Sequence, residues 1–382
     1  MFWTRSFGGA AGLYLLWACS LAQANTVLLN IPPRLQWDNN NGYCGECSIQ
    51  QIALYYGTYI SEYNVRQIID ATQQQDVWVP DNSGPIFAAL RLNCVAWNSS
   101  QSTPQYQNYL VWAKSHLQQM HPVIIDVYVQ GETDPDYDHI IPAIGYTSPD
   151  TNAYHGTDTL TFNDNYDPTS YTRLFSTLYD TRAMTGNGAN YEYCIPMQTD
   201  YGAAVTGIQD ASGAARPVYV AVDRWDEPNI SQGAAAVQMN ATIQASSLTK
   251  GAAYVLLRYN GYQNVPTNNY LSSAYNAATT FVATNTTQTL HDTFMSSATV
   301  IYRCVAATVP AFSAAHVSGA DVRLQFATQT NETYAVDYRN DLATGAWSNL
   351  ATNLAGTGGT LTVTNLGGAK TGKRFYRLHQ SP

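Results

Sequence analysis

The hydrophobic pattern of this chain changes its period along the sequence, and this change limits the folds open to it. In the first third, apolar side chains recur at helical spacing, in the segments 49–56, 65–69 and 106–120. Short apolar runs typical of strands follow at 123–129, 139–146 and 159–164. Beyond residue 200, similar runs alternate with Asn, Gly, Ser and Pro. No period of 20 to 50 residues recurs, which argues against a solenoid or a propeller.

These patterns predict three folded domains after a leader. Residues 25–199 read as an α+β domain with segregated helices and strands. Residues 200–309 read as an immunoglobulin-like β-sandwich, and residues 310–382 as a small C-terminal β-module. The first boundary follows the change, near Cys194, to short strand-like runs separated by turn residues. The second follows the proline at position 310.

Residues 1–24 have the pattern of a signal peptide. Arg5 is their only charged residue, a short apolar run covers 8–18, and Ala22-Gln23-Ala24 provides a small-residue cleavage site. A lipoprotein site at Cys19 is the alternative, disfavoured by the bulky Trp17. The prediction is a secreted, periplasmic or cell-surface protein.

The charge content argues against nucleic acid as a partner, and the lengths of the apolar stretches argue against a membrane span. Only 12% of the 382 residues are charged, and the 18 Lys and Arg against 27 Asp and Glu give a net charge of −9. Without a basic tract, nucleic acid is not expected as a partner. After the leader, no stretch reaches the roughly 18 apolar residues of a membrane-spanning helix, so no membrane span is expected.

A thiol at the start of a predicted helix is the most informative chemical feature. Cys44 and Cys47 stand directly before the apolar helical stripe that begins at Ile49. Unpaired N–H groups and the helix dipole at such a position stabilise a thiolate and lower a cysteine pKa. After the leader five cysteines remain, an odd number, so a free thiol is expected. A buried inert cysteine is the alternative.

Three further residues complete a set for acyl transfer. The amide of Gln36 is a candidate oxyanion donor. The alternative is that Gln36 is an ordinary surface residue. His139 opens a predicted strand and is the candidate base. The next strand ends in Asn163-Asp164, and strand alternation allows only one of these side chains to face His139. Asp164 is the predicted partner.

The order Gln36, Cys44, His139, Asp164 resembles the papain-like cysteine peptidase superfamily, in particular its bacterial double-glycine or leader-peptide branch. The run Tyr43 to Gly57 resembles that branch's Cys-Gly-Pro-x-Ser-Leu helix, with Glu46 in place of the proline. The segments 122–125, 139–146 and 163–164 resemble its middle strand, its His-strand-Gly-Tyr motif and its Asp-Pro position. The two C-terminal regions resemble β-modules of exported proteins.

The resemblance implies a papain-like domain with Cys44 as nucleophile, His139 as base and then acid, Asp164 as the residue that orients the ring, and Gln36 as oxyanion donor. It implies a peptide or protein substrate, with neither cofactor nor metal. Because the spacing also mimics the Cys-Gly-x-Cys of papain, Cys47 is the alternative nucleophile. If Cys44 reacts, four cysteines remain. Cys47 with Cys94 and Cys194 with Cys304 is one of three pairings that the sequence allows.

Two alternatives stay open. Asp134, Asp136 and Asp138 could bind calcium, but a solvated acidic loop is favoured because the spacing matches no complete calcium loop. The whole chain could instead be an inactive peptidase-like protein that binds protein or glycan through its β-modules. In either case, the C-terminal module is a candidate for cell-surface attachment.

Overall fold

The computed structural model describes residues 24–39, 42–102, 105–129, 139–178, 193–194, 202–307, 310–328 and 332–381. Residues 1–23 of the predicted signal peptide and the acidic loop with Asp134, Asp136 and Asp138 lie outside the described residues. Within the described part of the chain, no helix is both long enough and apolar enough to cross a membrane.

Four α-helices lie in the N-terminal part of the described chain, and none exceeds 13 residues. They are α1 (Cys44–Tyr55), α2 (Glu62–Ile69), α3 (Gly84–Ala89) and α4 (Tyr106–Gln118). The side chain of Ser61 caps α2 by accepting a hydrogen bond from the backbone N–H of Asn64, which satisfies one of the donors left free at a helix start.

An eight-stranded antiparallel sheet forms the centre of the N-terminal region. Its strands are β1 (Asn25–Leu28), β3 (Leu92–Ala96), β4 (Val123–Val129), β5 (His139–Ser148), β6 (Thr159–Asp164), β7 (Thr169–Leu174), β8 (Tyr193–Cys194) and β9 (Gly202–Ile208). The main order is β3-β9-β4-β5-β6-β7, while β1 pairs with β5 and β8 with β4. Successive residues of β5 point to opposite faces, and nine of its ten residues are buried, so both faces of the sheet are covered along this strand.

A separate hydrophobic core covers each face of this sheet. On one face, α4 packs through Tyr109, Leu110 and Leu117 against strand residues that include Phe162. On the other face, α1, α2 and α3 share a core with Ile124 and other strand residues. Helix α1 is therefore held between the sheet and its neighbours, and ten of its twelve residues are buried.

The middle region consists of two sheets that pack on one core. Its strands are β2 (Thr58–Ile60), β10 (Val218–Val222), β11 (Gln238–Ala245), β12 (Ala253–Asn260), β13 (Ala277–Val282), β14 (Gln288–Met295) and β15 (Thr299–Ala306). One sheet has the order β10-β11-β14 and the other β13-β12-β15-β2. Strand β2 comes from the N-terminal region and pairs with β15, so the two regions share a sheet.

The C-terminal region has a small core of its own, formed by Phe326, Tyr334, Val336 and their neighbours. Its strands are β16 (Phe312–Ser318), β17 (Asp321–Ala327), β18 (Thr333–Arg339), β19 (Ser348–Ala355), β20 (Thr360–Asn365) and β21 (Phe375–Ser381). They form two three-stranded sheets, β16-β17-β20 and β19-β18-β21. Neither sheet takes a strand from another region.

The fold class expected from the sequence, an α+β papain-like domain followed by two all-β domains, is wrong. Strands make up 42% of the described residues, and helices, 3-10 turns included, 16%. The physical reason is that most apolar runs between 123 and 208 pair directly with one another in one large sheet, leaving few residues for helices. In addition, β9 follows the boundary expected at residue 199 but lies between β3 and β4.

The shared strands predict how the chain tolerates truncation. A protein that ends at residue 309 keeps every strand of the first two regions, and we expect it to retain a cooperative thermal transition. A protein that ends at residue 199 loses β9 and the partner of β2, so we expect it not to fold. Near-ultraviolet circular dichroism during heating measures both. A cooperative transition in the shorter protein would contradict the dependence on β9.

Candidate active site

Helix α1 begins at Cys44 in a position that only a glycine at 45 permits. A Cβ atom built on Gly45 would lie 2.5 Å from the carbonyl oxygen of Val77 and 3.2 Å from the Cδ1 atom of Ile140. The start of the helix therefore lies directly against the segment around Val77 and against β5. This contact brings Cys44 to the strand that carries His139.

The residues around Cys44 are fixed by the buried side chain of Arg66. Its Nε donates to Glu46 Oε1 at 2.5 Å, it donates to the carbonyl oxygen of Gly42, and its guanidinium lies 3.6 Å above the ring of Tyr43. Asp76 provides a second carboxylate at 3.2 Å. Arg66 thus contacts both Tyr43 and Glu46 of the Tyr-Cys-Gly-Glu motif and holds the chain on both sides of the thiol. These contacts account for the presence of a tyrosine and a glutamate at the two positions.

Asn165 connects the helix, the histidine strand and the glutamine segment. Its Nδ2 lies 3.0 Å from the carbonyl oxygen of Cys44 and 2.9 Å from that of Ile140. Its Nδ2 also lies 2.9 Å from Ser48 Oγ, and its Oδ1 accepts from Gln51 Nε2 at 2.6 Å. Its backbone carbonyl accepts from the N–H of Gln36 at 2.9 Å. A single buried residue therefore contacts all three segments.

His139 and Asp164 lie together at the ends of β5 and β6. The Nε2 atom of His139 is 3.6 Å from Asp164 Oδ1, and the ring of Tyr166 stacks on the imidazole with a centroid distance of 4.4 Å. Asp164 Oδ1 also accepts from the backbone N–H of Tyr166 at 2.9 Å. Asn163 points elsewhere, because its Nδ2 donates to Gln51 Oε1 at 2.7 Å and to the carbonyl oxygen of Ile31.

Gln36 lies in an extended segment that is held from both sides. Its Oε1 is buried and has no hydrogen-bond partner among the described residues, and its Nε2 lies 3.5 Å from the position of a Cβ atom on Gly42. The backbone N–H of Leu35 donates to the carbonyl oxygen of Trp225 at 3.0 Å. Trp37 donates from its indole Nε1 to the carbonyl oxygen of Glu227 at 3.0 Å.

Glu227, from the middle region, anchors this segment from inside the protein. Its Oε1 accepts from the backbone N–H of Glu62 at 2.8 Å. Its Oε2 accepts from the hydroxyl of Tyr59 at 2.6 Å and from Gln50 Nε2 at 3.0 Å, and Arg34 lies 4.0 Å away. The loop around Glu227 therefore belongs to the support of the site rather than to a separate module.

Neither Asn165 nor Glu227 was predicted from the sequence to have a role at the site. Asn165 directly follows the predicted Asp164, so the end of β6 was the available signal. Glu227 is one of few acidic residues in a β-rich region, but its contacts are made with residues 165 or more positions away in the sequence. No local pattern predicts contacts of that range.

The pKa shifts at the site oppose a preformed thiolate. Burial raises the pKa of the half-buried Cys44 thiol to about 12; Glu46 adds to this, and hydrogen bonding to the backbone of Ile140 partly offsets it. Burial lowers the pKa of His139, against the opposing effect of Asp164. Both shifts favour neutral groups, a thiol and an uncharged imidazole. The low thiol pKa expected from the helix start is therefore wrong, because burial and the nearby Glu46 raise the pKa of Cys44.

The other cysteines are placed unfavourably for this chemistry. Cys47, the alternative nucleophile, is fully buried, and burial raises its pKa well above the ordinary value. Cys44, Cys47, Cys94 and Cys304 are all free, so the expected bridges from Cys47 to Cys94 and from Cys194 to Cys304 are not formed. No cluster of three or more His, Cys, Asp or Glu residues suited to a metal is found among the described residues.

No protein-family model and no curated protein matches this chain. Among solved structures, it is similar to the bacterial orthologue of human α-L-iduronidase, with 9% sequence identity and a TM-score of 0.15. The match covers 43% of this chain and 35% of that protein, so it spans about a third of the other chain. A TM-score this low carries no argument about fold or function.

The contacts of Asn165 predict a loss of stability on its removal. We expect Asn165→Ala to lower the free energy of unfolding by about 2–3 kcal/mol, because several buried polar groups lose their partner. Asn93→Ala is the matched control, since Asn93 is exposed and donates one hydrogen bond of 3.2 Å to Ile208. Urea unfolding measures both. Equal losses in the two variants would contradict the role of Asn165.

The raised pKa of Cys44 predicts the pH dependence of its alkylation. Because the thiol is neutral below about pH 12, we expect its rate with iodoacetamide in a His139→Ala variant, where no imidazole assists, to rise about tenfold per pH unit from 7 to 9.5, without a plateau. Glu46→Gln removes a charge that raises this pKa, and we expect alkylation about three- to tenfold faster. Mass spectrometry of a Cys94→Ser background reports the rate, since Cys94 is the exposed thiol. A plateau near pH 7 would contradict the neutral thiol.

Proposed function

We propose that this protein is an exported cysteine hydrolase that cleaves peptide (amide) bonds, with Cys44 as nucleophile and His139 as general base. The observation that carries the proposal is the set of contacts made by Asn165. This residue binds the backbone at Cys44, Ile140 and Gln36, and follows Asp164 directly. Asn165 thereby holds together the four segments that carry the proposed site residues, which are Gln36, Cys44, His139 and Asp164.

The neutral state of both reacting groups favours general-base catalysis at the moment of attack. As the Cys44 sulfur bonds to the carbonyl carbon of the substrate, His139 takes the thiol proton. We assign Nδ1 to this transfer, because Nε2 faces Asp164 at 3.6 Å. The imidazolium then gives its proton to the leaving amine, and the C–N bond breaks to leave a thioester. Water, deprotonated by His139, hydrolyses the thioester and restores the thiol.

Charge develops at two points during this reaction, and each has a group to stabilise it. The carboxylate of Asp164 stabilises the imidazolium of His139. The amide of Gln36 and the backbone N–H of Cys44, in the first turn of α1, are the donors proposed for the oxyanion. Gln36 is suited to this because it is buried and its backbone is held by Asn165 and by the segment around Trp225.

The location and the partners follow from the sequence. The signal peptide pattern supports a secreted, periplasmic or cell-surface enzyme with a peptide or protein substrate. The C-terminal region, which shares no sheet with the rest of the chain, is suited to attachment at the cell surface. The motif resemblance of the Tyr43 to Gly57 segment to double-glycine peptidases supports the same reaction class.

A second candidate function rests on the raised pKa of Cys44. A half-buried thiol with a pKa of about 12 is also what an inactive site would show, in an exported protein that binds protein or glycan ligands through its β-regions. The two candidates differ in whether His139 assists the sulfur. An active site requires alkylation of Cys44 to slow in His139→Ala, whereas an inert thiol does not respond to that change.

Hydrolysis of a quenched fluorescent peptide library tests the enzyme. We expect Cys44→Ala and His139→Ala to abolish turnover, and Gln36→Ala to lower kcat/KM about a hundredfold through loss of an oxyanion donor. Cys94→Ser is the matched control and should retain full activity. Turnover that persists in Cys44→Ala would overturn the assignment. Absence of turnover together with alkylation that ignores His139 would establish the binding protein instead.

A further inference from the structure

A cavity of about 450 Å³ lies away from the candidate active site, between the N-terminal sheet and the middle region. Residues from α1 and β9 line it on one side, and residues from β10 and β15 on the other. None of Gln36, Cys44, His139 and Asp164 contributes to its wall. Its volume falls within the range of small-molecule sites in proteins.

Two arginine side chains give this cavity an unusual chemistry. Arg303 is 2% exposed, and its Nη1 donates to the backbone carbonyls of Tyr302 at 2.8 Å and Tyr56 at 3.4 Å. Apart from a hydrogen bond to the Tyr270 hydroxyl, its Nε and Nη2 atoms have no hydrogen-bond acceptor among the described residues, and neither has Nε of the half-buried Arg216. Buried donors of a charged group without acceptors are costly and rare.

No acidic side chain of the described chain lines the cavity to neutralise these arginines. Asp210 is the carboxylate that acts electrostatically on Arg303, but its oxygens accept hydrogen bonds from Ser212 and from the backbone N–H of Ala215. The hydroxyls of Tyr259 and Tyr270 also favour the charged form of Arg303, and the Tyr270 hydroxyl is hydrogen-bonded to both Arg303 and Asp210. They do not supply the negative charge that a buried guanidinium ordinarily pairs with.

The rest of the wall is aromatic and aliphatic. Tyr55, Tyr56 and Tyr219 contribute to it, together with Ile208 and Val218. A small inorganic anion would satisfy the arginines but would leave most of this surface in contact with water. A ligand that fills the space needs both an anionic group and an apolar body.

We propose that this cavity is a binding site for a small organic carboxylate with an aromatic or aliphatic body, its carboxylate held by Arg303 and Arg216. The planar guanidinium presents donors in the geometry of a carboxylate, and the tyrosine rings enclose the body of the ligand. The site is separate from the proposed hydrolase and does not depend on it.

Isothermal titration calorimetry of the mature chain with N-acetyl-L-phenylalanine tests the proposal. We expect the acid to bind, and N-acetyl-L-phenylalaninamide, which lacks the charge, to bind at least about tenfold more weakly. Arg216→Gln is expected to weaken binding of the acid by about tenfold or more. Arg323→Gln, at an exposed position of the C-terminal region, is the matched control and should bind as the unaltered protein does.

Arg303→Met is the second variant, and circular dichroism decides whether it is folded. If it folds, loss of binding supports the proposal; if it does not, Arg216→Gln alone decides. Three results would overturn the proposal: no binding of the acid at millimolar concentration, equal binding of acid and amide, or unchanged binding in Arg216→Gln. Inorganic phosphate is titrated in parallel, and binding as tight as that of the acid would refute the requirement for an apolar body.

Discussion

The hydrogen bonds of Asn165 are the constraint on which the candidate site depends. One buried carboxamide reaches the helix that carries Cys44 and the strand that carries His139, and the same residue's carbonyl holds Gln36. In a low-dielectric interior each of these bonds is stronger than in water, and each unpaired group would be costly. The three segments therefore have little freedom to shift independently, as a reaction that depends on the alignment of several groups requires.

Several charged residues of this chain lie in its interior and link segments that are distant in the sequence. Although charged residues are few, Glu46 and Arg66 meet in the interior beside the thiol, and Lys114 and Asp158 form a buried pair at 2.7 Å. Glu227 links the middle region to the N-terminal region, because it accepts hydrogen bonds from Tyr59 and Glu62. Loss of one partner would leave the other buried and uncompensated, so these pairs specify how the chain segments come together.

The burial that fixes the site also determines the protonation states within it. Burial and the nearby Glu46 raise the pKa of the Cys44 thiol, which stays protonated, and burial lowers the pKa of His139, which stays neutral. The protonation states of both groups thus follow from how the site is packed.

Much of the local structure could be read from the sequence, because it depends on short-range periodicity. The apolar spacing at 49–56, 65–69 and 106–120 corresponds to helices α1, α2 and α4, and the apolar runs after residue 123 correspond to strands. The proportion of strand was underestimated, because local pattern does not show that β9 inserts between β3 and β4 or that β2 joins the sheet of β15. Such pairings are decided by which edges can satisfy their hydrogen bonds and bury their faces together.

The sequence by itself determined which residues could carry the chemistry: a cysteine at a helix start, a histidine at a strand start, and polar side chains at the end of the next strand. Only the tertiary structure decided that Asp164 and not Asn163 faces His139, that Cys47 is enclosed, and that Asn165 and Glu227 hold the site together. It also decided the pKa of Cys44 and the cavity of Arg303 and Arg216. The physical reason is that burial and long-range hydrogen bonds depend on neighbours distant in the sequence, whereas periodicity reports only on residues close by.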